Sequence, residues 1–165
     1  MATQSGVTLR VQVEGASLSA SAGINGAISL IARTITKQWA QGTSANGVDK
    51  VYAAAALALT TTPTDLDLAG GGNVKDPASQ TDQTFTKLHC VIVHNTGDNA
   101  IVLGGDANSV PLFDAAADSI TIPVGGLVVL QYGPDGIAVT ASTGDILQLA
   151  AAASTSTADV IIWGR

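Results

Sequence analysis

Thr84-Phe85-Thr86-Lys87-Leu88-His89-Cys90-Val91-Ile92-Val93-His94-Asn95-Thr96-Gly97-Asp98-Asn99-Ala100-Ile101-Val102-Leu103 decides how this chain reads. Two β-rich runs flank a short turn, Asn95 to Asn99. Asn, Gly and Asp in that turn tolerate positive φ or bond their own backbone, as a hairpin loop requires. The first run places Leu88, Cys90 and Ile92 on one face and His89, Val91 and Val93 on the other. It is apolar on both faces, so the expectation is a central hairpin inside a two-layer β structure.

The composition agrees with a β protein. Among 165 residues, 46% are hydrophobic and only 4% aromatic. Ala, Val, Ile and Leu supply the apolar bulk, Gly, Thr and Ser are abundant, and Glu14 is the only glutamate. The long charged side chains that clothe surface helices are therefore mostly missing. So few charges on an aliphatic chain favour assembly with other subunits over a solitary life in water. The net charge is −6, and the seven basic residues are scattered without a cluster. Wrapping phosphates takes a basic patch, so no direct nucleic-acid binding is expected. A single cysteine, Cys90, excludes an intrachain disulfide. Met1-Ala2-Thr3-Gln4-Ser5 has neither a basic region nor an apolar core of the signal-peptide kind. The longest apolar run, Val51 to Leu59, is too short for a bilayer. The expected product is soluble, made in the cytoplasm and independent of membranes.

Outward from the central stretch, alternation and turn signals mark the other strands. Val7 to Glu14 alternates, with Val7, Leu9, Val11 and Val13 on one side. Gly15 to Gly26 reads as a flexible connection. Ile28 to Trp39 alternates again, with Ile31, Arg33, Ile35, Lys37 and Trp39 on one side. Gly42 to Gly47 is a second linker. Residues 1–47 are expected to form an arm or added β layer, and residues 48–165 the body. Val51 to Leu59 has the alanine content of a helix, but Thr60-Thr61-Thr62-Pro63 follows at once and favours a strand and turn. Asp65-Leu66-Asp67-Leu68 alternates before Gly70-Gly71-Gly72-Asn73 breaks the chain, and Lys75 to Gln83 is a polar loop. Short strands follow at Ser119–Ile122, Leu127–Tyr132, Ile137–Thr140, Ile146–Leu149 and Val160–Trp163. Gly133-Pro134-Asp135-Gly136 is a strong turn. Turn signals recur roughly every 8–12 residues, as in sandwiches and jelly rolls. The fold expected is all-β: an antiparallel β-sandwich of jelly-roll-like type with an extended N-terminal arm.

No catalytic or cofactor-binding set emerges. Asp65 and Asp67 share a strand face and can in principle hold a cation or work as acid and base. No glutamate or further ligand lies near them, and a solvated strand face is the simpler reading. His89 and His94 are an odd number of residues apart and point to opposite sides, so they cannot share a metal. Cys90 and His94 share a face but stand about 13 Å apart along the strand, which excludes a dyad there. Cys90 reads as a small buried thiol. Gly70-Gly71-Gly72-Asn73-Val74-Lys75 lacks the Gly-Lys-Ser/Thr order of a phosphate loop. Gly104-Gly105-Asp106-Ala107-Asn108 lacks the acidic twelfth position of a calcium loop. Trp39 and Trp163 read as packing anchors. Cofactors and metals are therefore not expected, and neither is enzymatic activity.

From Val51 onward the punctuation resembles a known class. It comprises Val51-Tyr52, Asp65-Leu66-Asp67-Leu68-Ala69-Gly70, Phe85-Thr86-Lys87-Leu88, Ile92-Val93-His94-Asn95 and Gly104-Gly105. Ile122-Pro123-Val124-Gly125-Gly126, Pro134 to Leu147 and Val160-Ile161-Ile162-Trp163-Gly164 complete it. This pattern resembles small structural proteins of tailed bacteriophages, above all capsid decoration, or cement, proteins with a β-sandwich or jelly-roll body. The resemblance covers about two thirds of the chain and transfers no functional residue. It implies a homotrimer on the capsid surface of the virion that clamps the major capsid protein lattice against the pressure of packaged DNA. The alternative it leaves open is a tail- or fibre-associated protein that binds a host surface, for instance through Gly104 to Asn108. A metal enzyme on a jelly roll needs convergent histidines, which two opposed ones do not supply. The partner contacts expected are Ile28, Leu30, Ile31, Arg33, Ile35, Lys37 and Trp39, together with the loop Lys75 to Gln83.

Overall fold

The computed structural model describes residues 7–18 and 28–165. Among the described residues there are twelve strands and no helix. They are β1 (Val7–Leu18), β2 (Ile28–Gln41), β3 (Gly47–Val48), β4 (Lys50–Thr60), β5 (Thr64–Asp67) and β6 (Lys87–Asn95). β7 (Ile101–Gly104), β8 (Ser119–Ile122), β9 (Leu127–Gln131), β10 (Ile137–Ala138), β11 (Ile146–Ala151) and β12 (Thr155–Gly164) follow. The alanine run of β4 is thus extended, as its threonine-rich exit requires. β1 continues through Gly15 to Leu18, so the connection expected from Gly15 starts later; residues 19–27 lie outside the described residues.

Three sheets result. β1 and β2 pair antiparallel over their whole length, from Val7↔Trp39 to Leu18↔Ile28, and β3 adds to β2 in parallel. A second sheet runs β4–β12–β6, with β9 and β10 both on the far edge of β6. A third runs β5–β11–β7–β8. The chain changes sheet after nearly every strand of the body. Only β7 with β8, and β9 with β10, stay in the sheet their predecessor joined.

That routing corrects the expectation of a central hairpin. β6 and β7 flank the Asn95–Asn99 turn but do not pair; β6 bonds β12, β9 and β10, and β7 bonds β11 and β8. The turn is a bridge between sheets. Asn95 is the reason. Its fully buried Nδ2 donates to the carbonyls of Asn99 (2.9 Å), Ile122 (3.1 Å) and Pro123 (3.0 Å). Its Oδ1 accepts from the Gly97 N–H (3.1 Å) and the Ser156 hydroxyl (3.2 Å). One amide therefore ties the ends of β6, β8 and β12 together and satisfies carbonyls that the sheet change would strand.

One hydrophobic cluster draws on both body sheets. Tyr52, Leu59, Leu88, Val91, Val93, Val160 and Ile162 come from one, and Leu66, Ile101, Leu103, Ile122, Leu147 and Leu149 from the other. A second, smaller cluster joins Trp39 and Val48 to Cys90, with Leu9, Val51, Ile92, Val129 and Trp163 around them. Odd and even positions of β6 thus serve different clusters, as the alternation predicts, except at Leu88 and at His89, whose ring lies near Trp39 of the second cluster. At Leu88 the register slips between Trp163↔Cys90 and Gly164↔Leu88. This bulge turns Leu88 into the same cluster as Val91 and Val93. A second bulge interrupts β4 against β12 between Ala158 and Val160. Ala56 sits there in the left-handed region, at φ +50°, and its N–H donates to Asp159 Oδ1 at 2.8 Å.

Candidate interaction surface

The expected contact residues lie on β2, and the structure divides them. The side chains of Ile28, Leu30, Ile31 and Arg33 lie outside the described residues. Ile35 is 70% exposed, opposite Val11 in the ribbon register. Lys37 donates to Asn46 Oδ1 at 2.7 Å and stands 5.6 Å from the Trp39 ring centroid, a cation–π distance. Trp39 is only 2% exposed, 5.9 Å from the Trp163 ring. It packs within its own chain and anchors β2 there. Its position at the end of a long alternating strand gave the right residue type, an anchor, for a different neighbour.

The loop from Lys75 to Gln83 is built rather than slack. Lys75 and Asp82 pair across its neck, with Nζ 3.0 Å from Oδ1. Asp76 Oδ1 accepts the N–H groups of Ala78 (2.9 Å) and Ser79 (2.7 Å), and Oδ2 accepts from Gln83 Nε2 (3.2 Å). The Ser79 N–H first, and then that of Ala78, hold the Asp76 carboxyl below the usual carboxylate range. The loop presents an ordered, mostly polar surface without a cluster of one charge.

Three further apolar side chains are exposed: Ile120 (40%), Val124 (58%) and Leu127 (60%). They fall on β8, on the turn after it and at the start of β9. Alternation alone does not single them out, since Ile120 and Leu127 lie in short strands and Val124 in the turn between them. The available signal was an apolar residue, Val124, inside a Pro-Val-Gly-Gly turn, where solvent exposure is the rule.

The candidate chemistry resolves into structure. Asp65 Oδ1 accepts from Gln148 Nε2 (2.8 Å), and Asp67 Oδ1 accepts from the Ala69 N–H (2.9 Å). Asn73 bridges the same strand, donating to the Asp65 carbonyl at 2.5 Å and accepting from the Asp67 N–H at 3.0 Å. The glycine run before Asn73 is needed because the Asp67 carboxylate occupies the space a Gly71 side chain would take. His94 lies 3.9 Å from Asp159 Oδ2 at the half-exposed edge of β6. His89 is fully buried. Cys90 is buried too, and burial pushes its thiol up to about 12. No group of three or more His, Cys, Asp or Glu side chains suited to a metal occurs among the described residues. A shallow opening of about 390 Å³ lies between Thr96–Asp98 and the β4–β12 ends. Several of its hydroxyls have partners: Ser156 bonds Asn95 and Asn99, and Thr96 bonds Thr157.

Compared with known proteins, the chain matches no family model, no curated protein and no solved structure.

Proposed function

We propose that this chain is a non-enzymatic structural protein of a tailed-phage virion, a decoration protein that binds the assembled head as a homotrimer and stabilises the major capsid protein lattice. In this reading the two body sheets pack as a jelly-roll-like sandwich, supported by the cluster they share and by the chain's repeated passage between them. Residues 48–165 form that body, and β1 with β2 forms the arm.

The observation that carries the proposal is the set of exposed aliphatic side chains, Ile35, Ile120, Val124 and Leu127, on a β surface with few charges. Such a surface is buried against another protein at little desolvation cost, because few charges must be stripped of water. Many copies bound to a shell, and not to its free subunits, stabilise the assembled state by mass action. The carboxylates of Asp65, Asp67 and Asp76, by contrast, are engaged in hydrogen bonds within their own loops and strands. Light scattering of the purified chain tests the assembly: the expected mass is three times 16.4 kDa. A stable monomer at micromolar concentration contradicts the trimer.

The alternative is a tail- or fibre-associated protein of the same fold that binds a host surface. Preferential sedimentation with tails or cell envelopes, and not with heads, selects it.

A further inference from the structure

A buried histidine sits at the seam where the β1–β2 ribbon meets the body. Leu9, Trp39 and Val48 bring the ribbon end of the second cluster, and Cys90, Ile92, Val129 and Trp163 bring the body end. His89 lies beside this seam, its ring centroid 6.5 Å from that of Trp39. It is fully buried, and neither ring nitrogen has a hydrogen-bond partner. Trp39 Nε1 is likewise buried and unpartnered. With the seam closed, three ring nitrogens are therefore buried without partners, a cost that any opening to water relieves.

The groups around His89 disfavour a charge on it. Burial is the largest influence and lowers its affinity for protons. The Arg165 and Lys37 cations, beside the C-terminal strand and on β2, act in the same direction. The Gly133 backbone and the Asp135 carboxylate, both in the turn after β9, act against them without reversing the result. Gly133 does not reach hydrogen-bond geometry with either nitrogen. On its own strand the neighbour is Cys90, whose thiol stays neutral.

We propose that His89 is an acid-sensitive latch: its protonation releases the β1–β2 ribbon from the body while the body stays folded. The ribbon is the side that gives way. His89 is tied to the turn after β9 through its carbonyl, which accepts the Tyr132 N–H at 2.9 Å, whereas the Trp39 side chain makes no hydrogen bond at the seam; the hydrogen bonds from this end to the body, Asn46 N–H to the Pro134 carbonyl (2.7 Å) and Arg165 Nη1 to the Thr43 carbonyl (3.0 Å), lie beyond β2, at residues 43–46. The sign follows from the lowered proton affinity of the docked state. Docking is favoured above the free histidine pKa of about 6.5 and weakens as pH falls below it.

Hydrogen exchange of the full chain at about pH 7.5 and about pH 5 tests this, with rates corrected for the intrinsic pH dependence. The amides of residues 34–41 are expected to lose protection by up to about thirtyfold, the ratio that linkage to one histidine allows over this range. Those of β11 and β12 keep theirs. His89→Gln, which cannot titrate, abolishes the difference, and His94→Gln at the exposed site preserves it. A ribbon whose protection is the same at both pH values overturns the latch. So does simultaneous loss of protection in ribbon and body, or a His89→Gln protein that still responds. Should His89→Gln fail to fold, the wild-type ratio and the His94→Gln control decide the matter alone.

Discussion

Asn95 shows how much of this fold rests on single polar side chains. Its amide serves three carbonyls, a backbone N–H and a hydroxyl from inside the protein. Asn95→Ala leaves those groups buried without partners and is expected to destabilise the protein by on the order of 3 kcal/mol. Urea unfolding measures it; a loss below about 1 kcal/mol means that water replaces the amide. Cys90 gives a second test at this scale. With its thiol buried and pushed up to about 12, a disulfide reagent at mildly alkaline pH should not label it until the protein unfolds. Fast labelling of the native protein means the second cluster opens readily. Gly164 gives a third. The Lys87 carbonyl and the Phe85 ring fill the space of its missing side chain, so Gly164→Ala should cost about 1–3 kcal/mol in the same denaturation assay.

Elements were more legible than their partners. Alternation and β-branched residues mark the strands at β1, β2, β6, β9, β11 and β12 close to where they lie, because a strand's two faces are written two residues apart. Pairing is not written that way. A turn of Asn, Gly and Asp looks the same whether its flanking strands bond each other or enter different sheets. Only the buried environment of Asn95, assembled from residues as far as 61 positions away, distinguishes the two. Bulges are hidden for the same reason: Leu88 changes face because of Gly164, and Ala56 adopts its left-handed conformation because of Asp159. The left-handed residue makes a prediction. Ala56→Gly removes the steric penalty of φ +50° and should leave stability unchanged or raise it by up to about 1 kcal/mol. Ala53→Gly, in regular strand, should lower it by about 0.5–1 kcal/mol. Thermal unfolding of the pair compares them directly; equal losses mean that the bulge carries no strain.

At the scale of the whole molecule, composition pointed to an all-β chain, and the structure is all-β over the described residues, with Ile35, Ile120, Val124 and Leu127 exposed. That a partner covers these side chains is what we propose. The expected contact set on β2 was legible as alternation, but Trp39 turned inward because Trp163, far along the chain, lies ready to receive it. If the proposal holds, replacing Val124 and Leu127 with serine leaves the fold intact and weakens assembly at least about tenfold, since each buried aliphatic side chain contributes about 1.5–3 kcal/mol. The most direct measurement is co-sedimentation of the purified chain with mature phage heads stripped of it and, in parallel, with unassembled capsid subunits. The account predicts saturable binding to the heads, in a copy number divisible by three, and none to the subunits. A chain that stays in the supernatant with both contradicts it.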